Sequence, residues 1–219
     1  MRTTMEHYPD IALKYTELEP PLHWETIFHN PFPLEIEIGF GKCRFLRELA
    51  QARPSVNFLG IESSRKYYRK GLKKMHQAGV NNVKLLWGEA LHIFTRYIPD
   101  HSIAHIYINF PDPWPKRRHA KRRLLQPPFI ALAAQKLRPA GKIDIATDVE
   151  PYMQKILQLF QANPSYARLS YTTSTHSDNH RPYSSDYEKM FLQEGKPIYY
   201  VRYRKTNGVE SLTDESKKC

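Results

Sequence analysis

The chain has 219 residues, of which 41% are hydrophobic and 25% charged, so it can bury one sizeable core, and neither low hydrophobicity nor a long apolar run marks it as disordered or membrane-spanning. Thirty-three Lys and Arg against 22 Asp and Glu give a net charge of +11, with a pI near 9.6, and this excess favours a polyanionic partner, because each phosphate neutralised releases counterions. Two cysteines, Cys43 and Cys219, form neither a disulfide framework nor a zinc spacing, which fits a reducing, cytoplasmic setting. The ten histidines do not cluster with cysteines or carboxylates, and no metal is expected. Met1 to Asp10 lacks an apolar h-region, so no membrane association is expected either.

In chain order, residues 1–33 carry several prolines, ending in Asn30-Pro31-Phe32-Pro33, and read as an arm packing onto the domain that follows. Strand patterns are predicted over Leu34–Ile38, Val56–Ile61, Val83–Trp87, Ile103–Phe110 and Gly141–Thr147, with closing strands over Tyr166–Tyr171 and Pro197–Tyr203. Helical patterns fall over Arg44–Ala52, Ser64–Ala78, Leu124–Leu137 and Val149–Phe160. Strands alternating with helices predict an α/β fold: a doubly wound, mostly parallel sheet of seven strands, Rossmann-like, spanning 34–205. Residues 206–219 are polar and without periodicity, and a disordered tail is expected there.

Two motifs carry chemistry. Glu35-Ile36-Glu37-Ile38-Gly39-Phe40-Gly41 is a strand ending in glycines that open a helix, where a ligand can approach the backbone closely. A dinucleotide site would place a third glycine at Arg44, and the carboxylate of Glu37 would repel a pyrophosphate. A nicotinamide enzyme is therefore disfavoured. Glu37 can instead accept from the ammonium of an amino-acid moiety. Glu62, closing the second strand, can hold ribose hydroxyls, and Glu89 is placed for an adenine amino group.

The second motif is Asn109-Phe110-Pro111-Asp112-Pro113-Trp114-Pro115-Lys116. Three prolines in five residues stiffen the loop and forbid regular ladder bonding. A rigid loop carrying one carboxylate and one aromatic suits a site for a flipped base. Six cations in the eight residues 116–123 follow at once: Lys116, Arg117, Arg118, Lys121, Arg122 and Arg123. Such a run is usually a solvated face, but beside an acidic-aromatic loop it reads as a clamp on RNA phosphates. A basic RNA-binding protein without catalysis stays open as an alternative, although it would have little reason to keep Glu37, Glu62, Glu89 and Asp112 together.

The run 109–124 resembles the signature of the bacterial tRNA (guanine-N7)-methyltransferases, and the resemblance extends to Glu37-Ile38-Gly39-Phe40-Gly41, Gly60-Ile61-Glu62, Ala146-Thr147-Asp148 and Tyr187-Glu188-Lys189. It implies the S-adenosylmethionine-dependent methyltransferase fold, with 7-methylguanosine made in the variable loop of tRNA. It also implies cofactor contacts at Glu37, Glu62 and Glu89, with Gly39 and Gly41 in the same turn, and catalysis beside the cofactor at Asp112. Substrate contacts are implied at Lys116, Asp148, Ser185, Asp186, Tyr187 and Glu188. The sequence departs from the family's pattern at Cys43, where another glycine is common, at Glu89, and at Ser185-Asp186. A monomer and a homodimer are equally compatible with these features, and no obligatory protein partner is expected.

Overall fold

The computed structural model describes residues 8–114, 116–175 and 182–206, with backbone alone at Arg117 and Ala120. The expected tail beyond Thr206, the first seven residues of the arm, Pro115, His176 and His180 lie outside the described residues. In chain order the elements are α1 (Trp24–Phe28), β1 (Leu34–Ile38), α2 (Arg44–Ala52), β2 (Asn57–Glu62), α3 (Arg65–Gln77), β3 (Val83–Trp87), α4 (Ala90–Arg96) and β4 (Ile103–Asn109). They continue with α5 (Pro127–Lys136), β5 (Leu137–Thr147), α6 (Glu150–Gln161), β6 (Tyr166–Ser174), α7 (Asp186–Gln193) and β7 (Ile198–Lys205).

The seven strands form one sheet in the order β3-β2-β1-β4-β5-β7-β6. The first five are parallel, and β7 runs antiparallel between β5 and β6. Alternate residues along each strand feed two cores. Ile36, Ile61, Ile106 and Ile145 join Phe94, Phe129 and Ile156 from α4, α5 and α6 on one face. Phe58, Leu85 and Tyr107 join Leu46, Leu72 and Met75 from α2 and α3 on the other. The arm contributes Leu13, Leu22 and Phe28 to the first core, and Ile11 and Leu13 exchange backbone bonds with Leu85, covering the open edge at β3.

β1 is buried along its whole length although two of its five residues are glutamates. Glu35 tolerates this because Arg53 grips it through both terminal guanidinium nitrogens, at 2.7 Å each, and the Tyr107 hydroxyl donates to it at 2.9 Å. A buried carboxylate persists only when paired and hydrogen-bonded in this way.

The structure differs from the predicted elements in several places. α1, α4 and α7 are helices where none is predicted; at five, seven and eight residues each is too short for a 3.6-residue period to stand out. α5 begins at Pro127, not Leu124, because proline suits the first helical turn and its fixed φ sets the start there. β5 begins at Leu137, not Gly141, since Leu137 pairs with Ile103 before a register shift. β4 stops at Asn109 because Phe110 turns to φ +52°.

Candidate active site and cofactor cleft

The carboxyl ends of the parallel strands form one edge, and the acids singled out in the sequence fall along it in strand order: Glu62 on β2, Glu37 on β1, Asp112 after β4 and Asp148 after β5. Ligands of open α/β sheets bind in the crevice outside this edge.

The loop between β1 and α2 is built from left-handed backbone. Gly39 has φ +76°, Gly41 +50° and Cys43 +64°. A Cβ added at Gly39 would meet nothing within 4 Å, so this turn borders open space and presents bare backbone to it. Cys43 thus occupies, with a side chain, a conformation that glycine adopts without strain, as its place in the family pattern suggests. Its side chain is fully buried, and burial, then the charge of Glu37, pushes the thiol well above its ordinary value. The group is an inert packing residue.

Glu62 ties this loop to the next. One carboxylate oxygen accepts from the Gly41 N–H at 2.9 Å and the other from the Ser64 N–H at 2.8 Å. Each oxygen keeps further lone-pair capacity, which suits vicinal hydroxyls. Glu37, 2% exposed, accepts from the Asn109 side-chain amide at 3.0 Å. Asn109 belongs to the quoted loop motif but its link to Glu37 is invisible in sequence, because 72 residues separate the two. Glu89 is exposed and caps α4 without a side-chain cap bond, at the end of β3 beside Glu62's strand.

After β4 the chain makes a second left-handed excursion, with Phe110 at φ +52° and Trp114 at +39°. Arg123 holds this loop from behind: it donates to the Pro113 carbonyl at 2.7 Å and the Trp114 carbonyl at 3.0 Å, while its guanidinium lies 5.2 Å over the Tyr152 ring. Arg122 sits 5.1 Å over the Trp114 indole. The cation run therefore divides. Lys116, Arg118 and Lys121 are exposed, Arg122 covers Trp114, and Arg123 turns its donors onto the loop itself. Asp112 projects exposed from this clamped loop. Its charge reaches both Tyr152, whose phenol burial pushes up to about 12, and Tyr187 on α7.

Tyr187 connects the two loops. Its phenol is raised first by burial, then by Tyr67 through charge and a hydrogen bond, and further by Asp112 and Glu62. Tyr187 and Phe191 pack against Phe110, with centroids 6.2 and 5.5 Å away, yet Tyr187 remains 46% exposed. The rest of the segment 185–188 fixes α7 in place. Ser185 and Glu188 form a reciprocal capping box, and Glu188, 3% exposed, also accepts from the Tyr200 hydroxyl at 2.8 Å. The S-x-x-E spacing is itself a helix-start signal in the sequence. Asp186 lies 3.7 Å from Arg44, which also pairs with Glu48 at 2.8 Å, so α7 is docked onto α2. Thr147 accepts from the Val149 N–H at 3.2 Å as a turn residue. Lys196 pairs with Glu194 at 2.7 Å, and its ammonium is raised chiefly by that bond and further by the charge of Asp148, the residue after Thr147. Tyr67 and Arg44 are contributors that the motifs do not single out.

The side chains at this edge suit an uncharged or cationic ligand with hydroxyls better than an anionic one: carboxylates line it and bare glycine backbone opens it. Among the described residues no group of three or more His, Cys, Asp and Glu could hold a metal, and no helix is long and apolar enough to cross a membrane.

Comparison with known proteins bears on this geometry. A family model described as "Putative methyltransferase" matches residues 32–201. The tRNA (guanine-N(7)-)-methyltransferase of Geobacter metallireducens is 32% identical over 206 residues, 94% of this chain and 98% of that protein. The enzyme of the same name from Cronobacter sakazakii is 37% identical over 169 residues, 77% of this chain and 70% of that protein. A 30S ribosomal A1408 methyltransferase from an uncultured bacterium superposes with a TM-score of 0.56 at 14% identity, covering 84% of this chain and 92% of the other, a likeness of fold.

Proposed function

Because the chain belongs to the tRNA (guanine-N7)-methyltransferase family, we propose that it transfers a methyl group to N7 of a guanine in tRNA. The observation that carries this reading is the row of carboxylates at the cleft, with Asp112 on a loop that Arg123 clamps. The donor is S-adenosylmethionine, which when bound supplies an electrophilic methyl on a sulfonium. Its hydroxyls and ammonium match the acceptors offered by Glu62 and Glu37, and Glu89 stands at the end of β3 for the nucleobase.

Guanine N7 is a lone-pair nucleophile with no proton to lose, so no residue here has to act as a general base. What the chain contributes is alignment and charge. Tyr187, exposed beside Phe110 and within reach of the charges of Glu62 and Asp112, offers a ring on which a flipped purine stacks. Positive charge grows on the purine as methyl transfers, and Asp112 stabilises it; the same carboxylate can accept from N1–H and the exocyclic amine. Asp148 is a second acceptor at the neighbouring strand end. Ser185, Asp186 and Glu188 act by holding α7, and therefore Tyr187, at the cleft. Lys116, Arg117, Arg118 and Lys121 take the RNA backbone, whereas Arg122 and Arg123 position Trp114 and the loop.

The deciding experiment is methyl transfer from labelled S-adenosylmethionine to unmodified bulk tRNA, followed by nucleoside analysis. Label in 7-methylguanosine is expected. Label in another nucleoside would overturn the assignment of N7, and a protein that takes up no cofactor would overturn the enzyme reading.

A further inference from the structure

α3 carries six cations within ten residues: Arg65, Lys66, Arg69, Lys70, Lys73 and Lys74, and no acid at all. Its buried side is Tyr68, Gly71, Leu72 and Met75, so the cations occupy the opposite side. They fall in two rows at i, i+4 spacing, Arg65-Arg69-Lys73 and Lys66-Lys70-Lys74, with successive charges about 6 Å apart along the axis. None of the six makes an ion pair among the described residues. Lys74 donates to the Lys42 carbonyl and Arg65 lies over Trp87, while Lys66, Arg69, Lys70 and Lys73 are simply exposed.

A merely solvated helix face does not look like this. Like charges at i, i+4 weaken a helix, and cations in the first turn oppose the macrodipole; α3 has four such pairs and begins Arg65-Lys66. α6, of similar length, carries one glutamate, one lysine and three glutamines. The repulsion concentrated on α3 is relieved when phosphates sit between the rows.

Position supports the same conclusion. α3 leaves the cleft directly after Glu62 and Ser64, and Tyr67 in its first turn bonds Tyr187 at the mouth. The Lys116–Lys121 cations follow β4, two strands from β2, roughly 10 Å across the sheet edge. The two basic stretches therefore leave the sheet edge from different strands, α3 after β2 and the 116–121 run after β4, with β1 between them.

We infer that the exposed face of α3 is a second docking surface for the tRNA backbone, so that the RNA straddles the cleft with phosphates held on both sides of the target guanine. This rests on the tRNA reading above. The test is an R69Q/K70Q/K73Q variant set against R96Q/R138Q/K155Q, which removes the same charge from exposed positions away from α3. The first should flatten the salt dependence of tRNA binding by about two log units per log unit of salt, at roughly 0.7 for each phosphate no longer neutralised, and raise KM for tRNA. Affinity for S-adenosylhomocysteine, measured by calorimetry, should stay as in the wild type. The control triple should keep the wild-type slope. Equal slopes for wild type and the α3 triple, or equal flattening in both triples, would overturn the α3 surface while leaving the methyltransferase reading intact. A wild-type protein that neither binds nor methylates tRNA would overturn both.

Discussion

The β1–α2 loop and the loop after β4 stand side by side at the carboxyl edge of the sheet, and both pass through left-handed backbone, yet they hold their shapes by opposite means. The first is made of absent side chains: Gly39 and Gly41 expose backbone, and the carboxylate of Glu62 grips the turn through the Gly41 N–H. The second is made of side chains. Prolines stiffen it, Arg123 draws in two of its carbonyls, and Arg122 and His119 pack on Trp114. A loop that must let a small molecule close to its backbone gains from glycine. A loop that must aim a carboxylate at an incoming base gains from a scaffold that keeps its geometry.

If this division of labour holds, substitutions in the two loops separate into different observables. Asp112→Ala should have the largest effect, a loss of about 10²–10³ in turnover, comparable to removing one charge-stabilising group elsewhere. Its thermal unfolding should stay near wild type, because Asp112 is exposed. Near-normal single-turnover methylation by the folded variant would remove Asp112 from the chemistry. Glu62→Gln should instead weaken cofactor binding by about 1.5–3 kcal/mol, the scale of hydrogen bonds to a charged group, as read by calorimetry. An unchanged cofactor Kd would break the assignment of the first loop.

Arg123→Ala should lower turnover on the order of tenfold while leaving cofactor affinity in place, and Arg123→Lys should restore part of it, since a point ammonium holds two carbonyls less well than a planar fork. Equal losses in turnover and cofactor affinity would show that the two loops are one unit after all. Gly39→Ala should cost about 1–2 kcal/mol of stability from left-handed strain, without a steric clash, and weaken the cofactor further by intruding on its approach. The smallest effect belongs to Ser185→Ala, about 1 kcal/mol from the missing cap, seen as faster hydrogen exchange confined to α7.

Much of this was legible along the chain. The five parallel strands announce themselves because a strand buried on both faces reads as a short apolar run, and the glycine turn and the proline-rich loop follow from residues that few other conformations suit. α4 and α7 escaped because short helices lack enough turns to show a period, although the Ser185–Glu188 capping spacing marks the start of α7. The segment 185–188 shows how a motif can be located without its geometry: Tyr187 faces the cleft, while Glu188 is buried beneath it on Tyr200.

The sequence alone determined the kind of chemistry: acids at successive strand ends, a stiff acidic-aromatic loop and an excess of cations, all local in the chain. Which of those side chains stay exposed at the cleft and which brace the scaffold was decided by the tertiary structure. Arg118 and Arg123 are five residues apart and chemically identical, yet the first is exposed and the second donates to the Pro113 and Trp114 carbonyls. Glu37 and Asn109 meet across 72 residues, and Tyr187 reaches Tyr67 from the far end of the domain. Those pairings depend on sheet order and helix docking, which bring distant residues within hydrogen-bonding range and which no window of sequence contains.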